Sequence, residues 1–177
     1  MGKKILITGV SGLIGSAIWD WLKPDYDRYE LYGLARRFEP STRANSERDI
    51  DIQEHHRYLV DITNFDLVQE AVQGKDVVVH MAANPEGNAP WESVLHNNIV
   101  GTYNVFEACR IAKVKRVVYA STIMVSWSYM EDEPYKAIVE GRYKDVPPNF
   151  TIVTKDMPIR PSGFYPSSKV WGEAIAR

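Results

Sequence analysis

The segment TGVSGLIG at residues 8–15 decides the fold. It contains three glycines at intervals of three residues: Gly9, Gly12 and Gly15. An apolar run at 5–7 precedes it, and apolar residues recur at helical spacing over 13–22 after it. This order predicts a buried strand, a tight turn and the start of a helix. Glycines let such a turn approach a pyrophosphate, which the free N–H groups of the helix bind. A glycine turn that serves packing alone is the alternative.

Strand and helix patterns alternate along the rest of the chain. Strands are predicted at 5–7, 30–35, 57–60, 76–81 and 115–120. Helices are predicted at 13–22, 65–72, 91–112 and 164–177. Strands that are apolar on both faces, placed between amphipathic helices, are typical of a parallel sheet with helices on both faces. The sequence therefore predicts an α/β, doubly wound parallel sheet of the Rossmann type, in which ligands bind at the carboxyl ends of the strands.

Two long segments lack a clear period. Residues 36–56 are polar and charged, and we expect them to form an irregular excursion after the second strand. Residues 126–163 are rich in proline, tyrosine and charge. This second segment is a candidate insertion or lid over a substrate, and a plain surface excursion is the equal alternative.

Length and composition limit the class of protein. The 177 residues are 45% hydrophobic and 25% charged, which predicts a single globular domain spanning 1–177. The net charge of −2 provides no basic field for a nucleic acid. The single cysteine, Cys109, cannot form an internal disulfide, which favours a reducing, cytoplasmic location. No apolar stretch could span a membrane, and we expect no signal peptide.

The pair Arg36-Arg37 follows the second predicted strand. Nucleotide-binding sheets often have an acidic residue here, which accepts the adenosine ribose hydroxyls. A guanidinium instead suits the 2′-phosphate of NADP. The sequence therefore predicts NADP, with NAD as the alternative cofactor and a solvated basic pair as the alternative role.

Tyr165 and Lys169, in the segment YPSSK, share one face of the last predicted helix. An ammonium group beside a phenol favours tyrosinate, which can transfer protons near neutral pH. Ser121 and Thr122 close the fifth strand, where a hydroxyl could bind the substrate oxygen. A surface Tyr–Lys pair and strand-end capping are the alternatives.

Six motifs together resemble the extended short-chain dehydrogenase/reductase family, the group of NAD(P)-dependent sugar epimerases, dehydratases and uronate dehydrogenases. They are TGVSGLIG at 8–15, VDIT at 60–63, HMAA at 80–83, NIVGTYN at 98–104, VVYAST at 117–122 and YPSSK at 165–169. By this resemblance the glycines hold the pyrophosphate, Asp61 and Ile62 meet the adenine, Ala82 and Ala83 line the nicotinamide ribose, and Asn98 braces the active-site helix.

The resemblance also implies a catalytic group of Thr122, Tyr165 and Lys169. With the two arginines, the expected cofactor contacts are Gly9, Ser11, Gly12, Leu13, Ile14, Gly15, Arg36, Arg37, Asp61, Ile62, Ala82, Ala83, Asn98, Tyr165 and Lys169. No metal is expected, because the adjacent pair His55-His56 lacks further ligands.

The chain departs from the family in two places. Dehydratases of the family carry acidic residues where this chain has Ile123 and Met124, so elimination chemistry is not expected. The segments 90–98 and 158–169 are most similar to uronate dehydrogenase-like members, which place polar substrate ligands at those same two positions. Family members also continue beyond the position of Arg177, so we expect the C-terminal substrate-binding region to be lacking here.

The expected function is that of an NAD(P)-dependent oxidoreductase or epimerase acting on the alcohol of a sugar or sugar nucleotide. A catalytically weak nucleotide-binding module or sensor subunit, produced by truncation, is the alternative. The resemblance also suggests a homodimer formed through the helix at 91–112 and the C-terminal helix.

Overall fold

A computed structural model describes residues 2–39, 41, 43 and 51–177. Its five strands are β1 (Lys3–Thr8), β2 (Tyr29–Ala35), β3 (Arg57–Leu59), β4 (Val77–His80) and β5 (Arg116–Tyr119). Its α-helices are α1 (Leu13–Leu22), α2 (Phe65–Val72), α3 (Trp91–Val94), α4 (Gly101–Ile111), α5 (Tyr135–Val139) and α6 (Phe164–Ile175). Short 3₁₀ helices occur at Lys23–Asp25, Glu54–His56, Ile123–Glu131 and Tyr143–Asp145.

The strands form one parallel sheet in the order β3-β2-β1-β4-β5. From β1 the chain winds outward through β2 to β3, and it then crosses back to β4 and β5. The winding direction reverses between β1 and β4, so the loops that follow these two strands diverge and leave a cleft at their carboxyl ends. The predicted doubly wound fold is confirmed.

Each face of the sheet has its own core. Leu6 points to the face covered by α2 and α4, where it packs with Val78 and Val105. Its neighbours Ile5 and Ile7 point to the opposite face, which includes Trp19 of α1. Because neighbouring side chains of a strand alternate between faces, an apolar run such as 5–7 supplies both cores.

The predicted helix at 91–112 is interrupted in the structure. Residues Leu95–Val100 form a π-helical turn between α3 and α4. Such turns widen a helix by one residue and are frequent at functional sites. This turn contains Asn98, whose side chain is buried.

The two aperiodic segments differ in what the structure describes. Residues 40, 42 and 44–50 of the predicted excursion lie outside the described residues. The segment 126–163 contains the end of one 3₁₀ helix, α5 and a further 3₁₀ helix, and backbone hydrogen bonds between Val125 and Arg160 and between Ser128 and Arg160 join its two ends. No helix in the described part of the chain is long and apolar enough to cross a membrane.

Candidate cofactor cleft and proton-transfer site

The cleft at the carboxyl ends of the strands contains two adjoining cavities, of about 480 and 430 Å³. Both are bounded by the glycine turn, the end of β2 and the loop after β4. Predicted cofactor residues that line one or both are Gly9, Ser11, Gly12, Leu13, Ile14, Gly15, Arg36, Arg37, Ile62, Ala82, Ala83, Tyr165 and Lys169. Three other predicted site residues, Asp61, Asn98 and Thr122, do not line either cavity.

The glycine turn is tight because it packs against both neighbouring strands. Gly9 has a φ of +68°, and a Cβ there would lie 2.7 Å from the backbone nitrogen of Ala82. A Cβ at Gly15 would overlap the carbonyl oxygen of Gly9. These two glycines are therefore required by the approach of α1 to β1 and β4, independently of any ligand.

The start of α1 has the properties of an anion site. Its N-cap residue is Gly12, which provides no side chain to accept the first N–H groups. Those groups belong to Leu13, Ile14 and Gly15, which all line the second cavity. An unfilled helix N-terminus that faces a cavity favours a negatively charged group.

Basic side chains surround the cleft where β2 ends. Arg36 and Arg37 are exposed and line both cavities, and Arg43 joins them in the second. Ser41, which donates its N–H to the carbonyl of Ser11 at 3.0 Å, brings this part of the excursion onto the glycine turn. Three guanidinium groups at one cleft suit an anionic ligand.

Asp61 lies at the edge of this region. One of its carboxylate oxygens accepts from the backbone N–H and the hydroxyl of Thr63, each at 2.9 Å. The other lies 3.9 Å from a guanidinium nitrogen of Arg36. Asn104 of α4 donates to the carbonyls of Ile62 and Thr63 at 2.9 and 3.0 Å. The turn after β3, with Ile62 at the cavity wall, is thereby fixed to α4.

Asn98 joins the loop after β4 to α6. Its side-chain oxygen accepts from the backbone N–H of Asn84 at 2.8 Å. Its amide group donates to the carbonyl of Asn84 at 3.0 Å and to the hydroxyl of Ser168 at 3.1 Å. The buried amide of Asn98 therefore holds the loop after β4 and helix α6 together, which is the geometry that the predicted bracing role requires.

Tyr165 and Lys169 are both buried at the end of the second cavity, with exposed fractions of 9% and 4%. The ammonium group donates to the carbonyl of Ala120 at 2.9 Å and lies 4.9 Å from the ring centroid of Tyr119 and 5.9 Å from that of Tyr165. Burial lowers the pKa of Lys169 to about 8, because the charged form loses its water.

The two hydroxyls after β5 have different surroundings. Thr122 is the N-cap of the 3₁₀ helix Ile123–Glu131, and its hydroxyl oxygen accepts from the backbone N–H of Met124 at 3.3 Å. Ser121 lines the second cavity and donates a short hydrogen bond to Glu173 of α6. The capping role considered for this pair is therefore present at Thr122, whose own proton can still be donated.

Several cleft residues were not among the predicted site residues. They are Ser41, Arg43, Met81, Asn84, Pro85, Glu86 and Asn97. Arg43 lies in the aperiodic segment 36–56, away from the predicted strand ends that were used to find site residues. Asn84 directly follows the HMAA motif, and this position in the sequence could have identified it as a cleft residue.

The lid candidate 126–163 contributes no described residue to the walls of either cavity. It forms a separate apolar hollow of about 360 Å³ that includes Trp127 and Tyr135. His55 and His56 lie with ring centroids 4.3 Å apart near the other end of the sheet. Within the described residues, no cluster of three or more histidine, cysteine or acidic side chains could hold a metal ion.

Comparison with known proteins adds a family match. Residues 5–177 match the model of the NAD dependent epimerase/dehydratase family. The chain is 33% identical, over 97% of its length, to L-arabinose 1-dehydrogenase (NAD(P)(+)) of Haloferax volcanii, and covers 59% of that protein. It is 30% identical, over its whole length, to NAD-dependent glucose-6-phosphate dehydrogenase of the same organism, and covers 63% of it.

Solved structures give the same result. A mutated uronate dehydrogenase superposes with a TM-score of 0.70 at 28% identity, which covers 99% of this chain and 53% of that protein. The chain thus spans between half and two thirds of the length of these relatives.

Proposed function

Because the chain belongs to the NAD-dependent epimerase/dehydratase family, we propose that it binds NADP and takes part in hydride transfer between this cofactor and an alcohol of a sugar or sugar nucleotide. The observation that carries the proposal is the burial of Tyr165 beside Lys169 in the cavity that also contains the glycine turn. One bound dinucleotide would then contact both the anion site at the start of α1 and the pair Tyr165 and Lys169.

In this proposal, a dinucleotide lies along the cleft with its pyrophosphate at the glycine turn. The uncapped start of α1 would hold the pyrophosphate, as the missing side chain at Gly12 permits. The adenosine half would extend toward Ile62 and the arginines at the end of β2. The nicotinamide half would extend along Ala82 and Ala83 toward Lys169. When bound, the cofactor supplies the hydride acceptor or donor.

The chain's own groups then handle the proton. The hydroxyl of Tyr165 takes the proton of the substrate alcohol when the alcohol is oxidised, and returns it in the opposite direction. Lys169, whose ammonium lies 5.9 Å from the centre of the Tyr165 ring, would bind the ribose hydroxyls of the cofactor. Thr122 donates its free proton to the substrate oxygen. Its acceptor role toward Met124 fixes the side chain for this task.

Arg36 and Arg37 favour NADP over NAD in this proposal. The names of the two curated relatives point to NAD(P) in one case and NAD in the other, so the cofactor preference rests on the arginines. Titration of the wild type with both cofactors should give a lower Kd for NADP. Arg36→Ala should weaken NADP binding by about 10- to 100-fold and leave NAD binding nearly unchanged, because only the 2′-phosphate contact is lost. Equal Kd values in the wild type would contradict the preference.

The substrate class is tested with alcohols related to those in the relatives' names: L-arabinose, glucose 6-phosphate and a uronate. We expect one of these, or a nucleotide sugar, to reduce NADP in the presence of the wild type. Tyr165→Phe should abolish the reaction and preserve NADP binding, because the ring remains and only the proton-transfer group is removed. Tyr143→Phe, at an exposed tyrosine distant in sequence from the site, is the matched control. Unchanged turnover in Tyr165→Phe would refute the catalytic role.

A further inference from the structure

His80 is a buried histidine that the proposed chemistry does not use. It is the last residue of β4 and is 1% exposed. Its Nδ1 lies 2.7 Å from the hydroxyl oxygen of Thr8, and its Nε2 lies 3.2 Å from the hydroxyl oxygen of Thr102. One ring therefore joins the end of β1 to helix α4 through opposite nitrogens.

The hydrogen-bond pattern favours one tautomer of this ring. The oxygen of Thr8 already accepts from the backbone N–H of Ala82 at 3.2 Å. The hydroxyl of Thr8 then has an acceptor for its own proton if Nδ1 of His80 is unprotonated. The ring proton then resides on Nε2 and is donated to Thr102. Burial, with the nearby charge of Lys169 as a smaller cause, lowers the pKa of His80 to about 3 and keeps the ring neutral.

The two threonines connect to different parts of the proposed cofactor site. Thr8 directly precedes Gly9 of the glycine turn, where the pyrophosphate would lie. Thr102 lies one helical turn after Asn98, which binds the loop after β4 and Ser168 of the helix that carries Tyr165. The His80 ring also stacks on Tyr119, at 5.8 Å between centroids and 30° between planes, and Lys169 lies over the same Tyr119 ring.

We propose that His80, as the neutral Nε2–H tautomer, is a positioning residue that couples the glycine turn to helix α4, so that the pyrophosphate and the nicotinamide half of one dinucleotide meet correctly placed partners. The inference rests on the proposed binding of NADP. The predicted tautomer of His80 can be measured without NADP. Failure of the His80 proposal is therefore distinguishable from failure of the proposed function.

The first test is spectroscopic and uses the full chain with ¹⁵N-labelled histidine. The chain has four histidines, and His80→Asn assigns the signals of this one. We expect the ¹⁵N shifts of a neutral Nε2–H ring that do not titrate between about pH 5 and pH 8. A protonated Nδ1 or an imidazolium in this range would overturn the proposal. A residue with a merely space-filling role would not require a single tautomer.

The second test measures coupling between the two threonines. Thr8→Val and Thr102→Val preserve shape and remove one hydroxyl each, and each should raise the Kd for NADP by about fivefold to tenfold. The double variant should be clearly less impaired than the product of the two effects, because both act through one ring. In a His80→Leu background, Thr102→Val should have little further effect, and Thr8→Val should retain only the part of its effect that comes from the lost acceptor of the Ala82 N–H.

Thr151→Val, at an exposed threonine remote in sequence from the ring, is the control and should leave the Kd unchanged. Fully multiplicative effects of Thr8→Val and Thr102→Val would refute the coupling, provided that circular dichroism shows all variants folded. If the wild type itself fails to bind NADP, the proposed function fails, and the tautomer measurement still decides whether His80 forms this bridge.

Discussion

Replacing Lys169 with methionine should stabilise the protein at neutral pH. The lysine is 4% exposed, its ammonium donates to the single carbonyl of Ala120, and no described carboxylate forms an ion pair with it. Burial lowers its pKa from 10.5 to about 8. At about 1.4 kcal/mol per pH unit, this difference corresponds to about 3 kcal/mol by which the charged, buried lysine weakens the fold below pH 8.

The pH dependence has a definite sign. Between about pH 8 and pH 10.5 the unfolded chain retains the lysine proton and the folded chain has lost it. The free energy of unfolding of the wild type therefore rises with pH in this window, relative to Lys169→Met. The stability advantage of the variant should be largest near pH 7 and should shrink by most of about 3 kcal/mol by about pH 10.

Urea unfolding of both proteins, without cofactor, measures this difference at a series of pH values. Lys155→Met is a matched control, because Lys155 is exposed and its removal should give a difference that hardly changes over the same range. A difference between Lys169→Met and the wild type that is independent of pH would refute the argument that burial controls this lysine.

Three further predictions concern the turn, the thiol and the helix surface. Gly15→Ala should destabilise the fold by several kcal/mol in urea unfolding, since its Cβ would overlap a glycine-turn carbonyl, whereas Gly87→Ala should be nearly neutral. Cys109, buried and with its pKa raised to about 12, should remain unmodified by iodoacetamide at pH 8 until the protein is unfolded; rapid native labelling would contradict its burial. Tyr103 of α4 and Phe164 of α6 are about half exposed, and we expect these two helices to form the interface of a homodimer. Sedimentation at micromolar concentration should show a dimer that Tyr103→Glu weakens, and a wild-type monomer would exclude this dimer.

Local patterns were sufficient for the framework of the fold. The helix predicted at 13–22 has those bounds in the structure, because its apolar spacing lies between a glycine turn and Pro24. The strands were also located correctly, although β3 and β5 are partly exposed and only the inner strands are covered on both faces. Because the strand ends converge on one edge of such a sheet, the sequence also placed Gly9, Arg36 and Ala82 around one cleft.

Features that depend on distant partners could not be predicted. The π-helical turn at Leu95–Val100 has an apolar spacing compatible with a regular helix. Its Asn98 is buried against Asn84 and Ser168, and the second partner is 70 residues away in the chain. The bond from His80 to Thr8 spans 72 residues. Neither contact leaves a local period in the sequence: the bracing role of Asn98 was expected from the family resemblance alone, and the partners of His80 are known only from the folded chain.

The distribution of buried polar groups locates the site independently of any motif. Burying a polar side chain lowers the stability of a protein unless the side chain is hydrogen-bonded. Replacing it with an apolar residue of the same shape often leaves the protein equally stable. In this chain, such residues include Thr8, His80, Asn98, Ser168 and Lys169, which all lie at or behind the cleft. Their bonds connect β1, β4, β5, α4 and α6 with the loop after β4, which are the elements that meet there. A core built for stability alone would not concentrate polar groups at one edge of the sheet. The pattern therefore supports a preorganised ligand site at that edge.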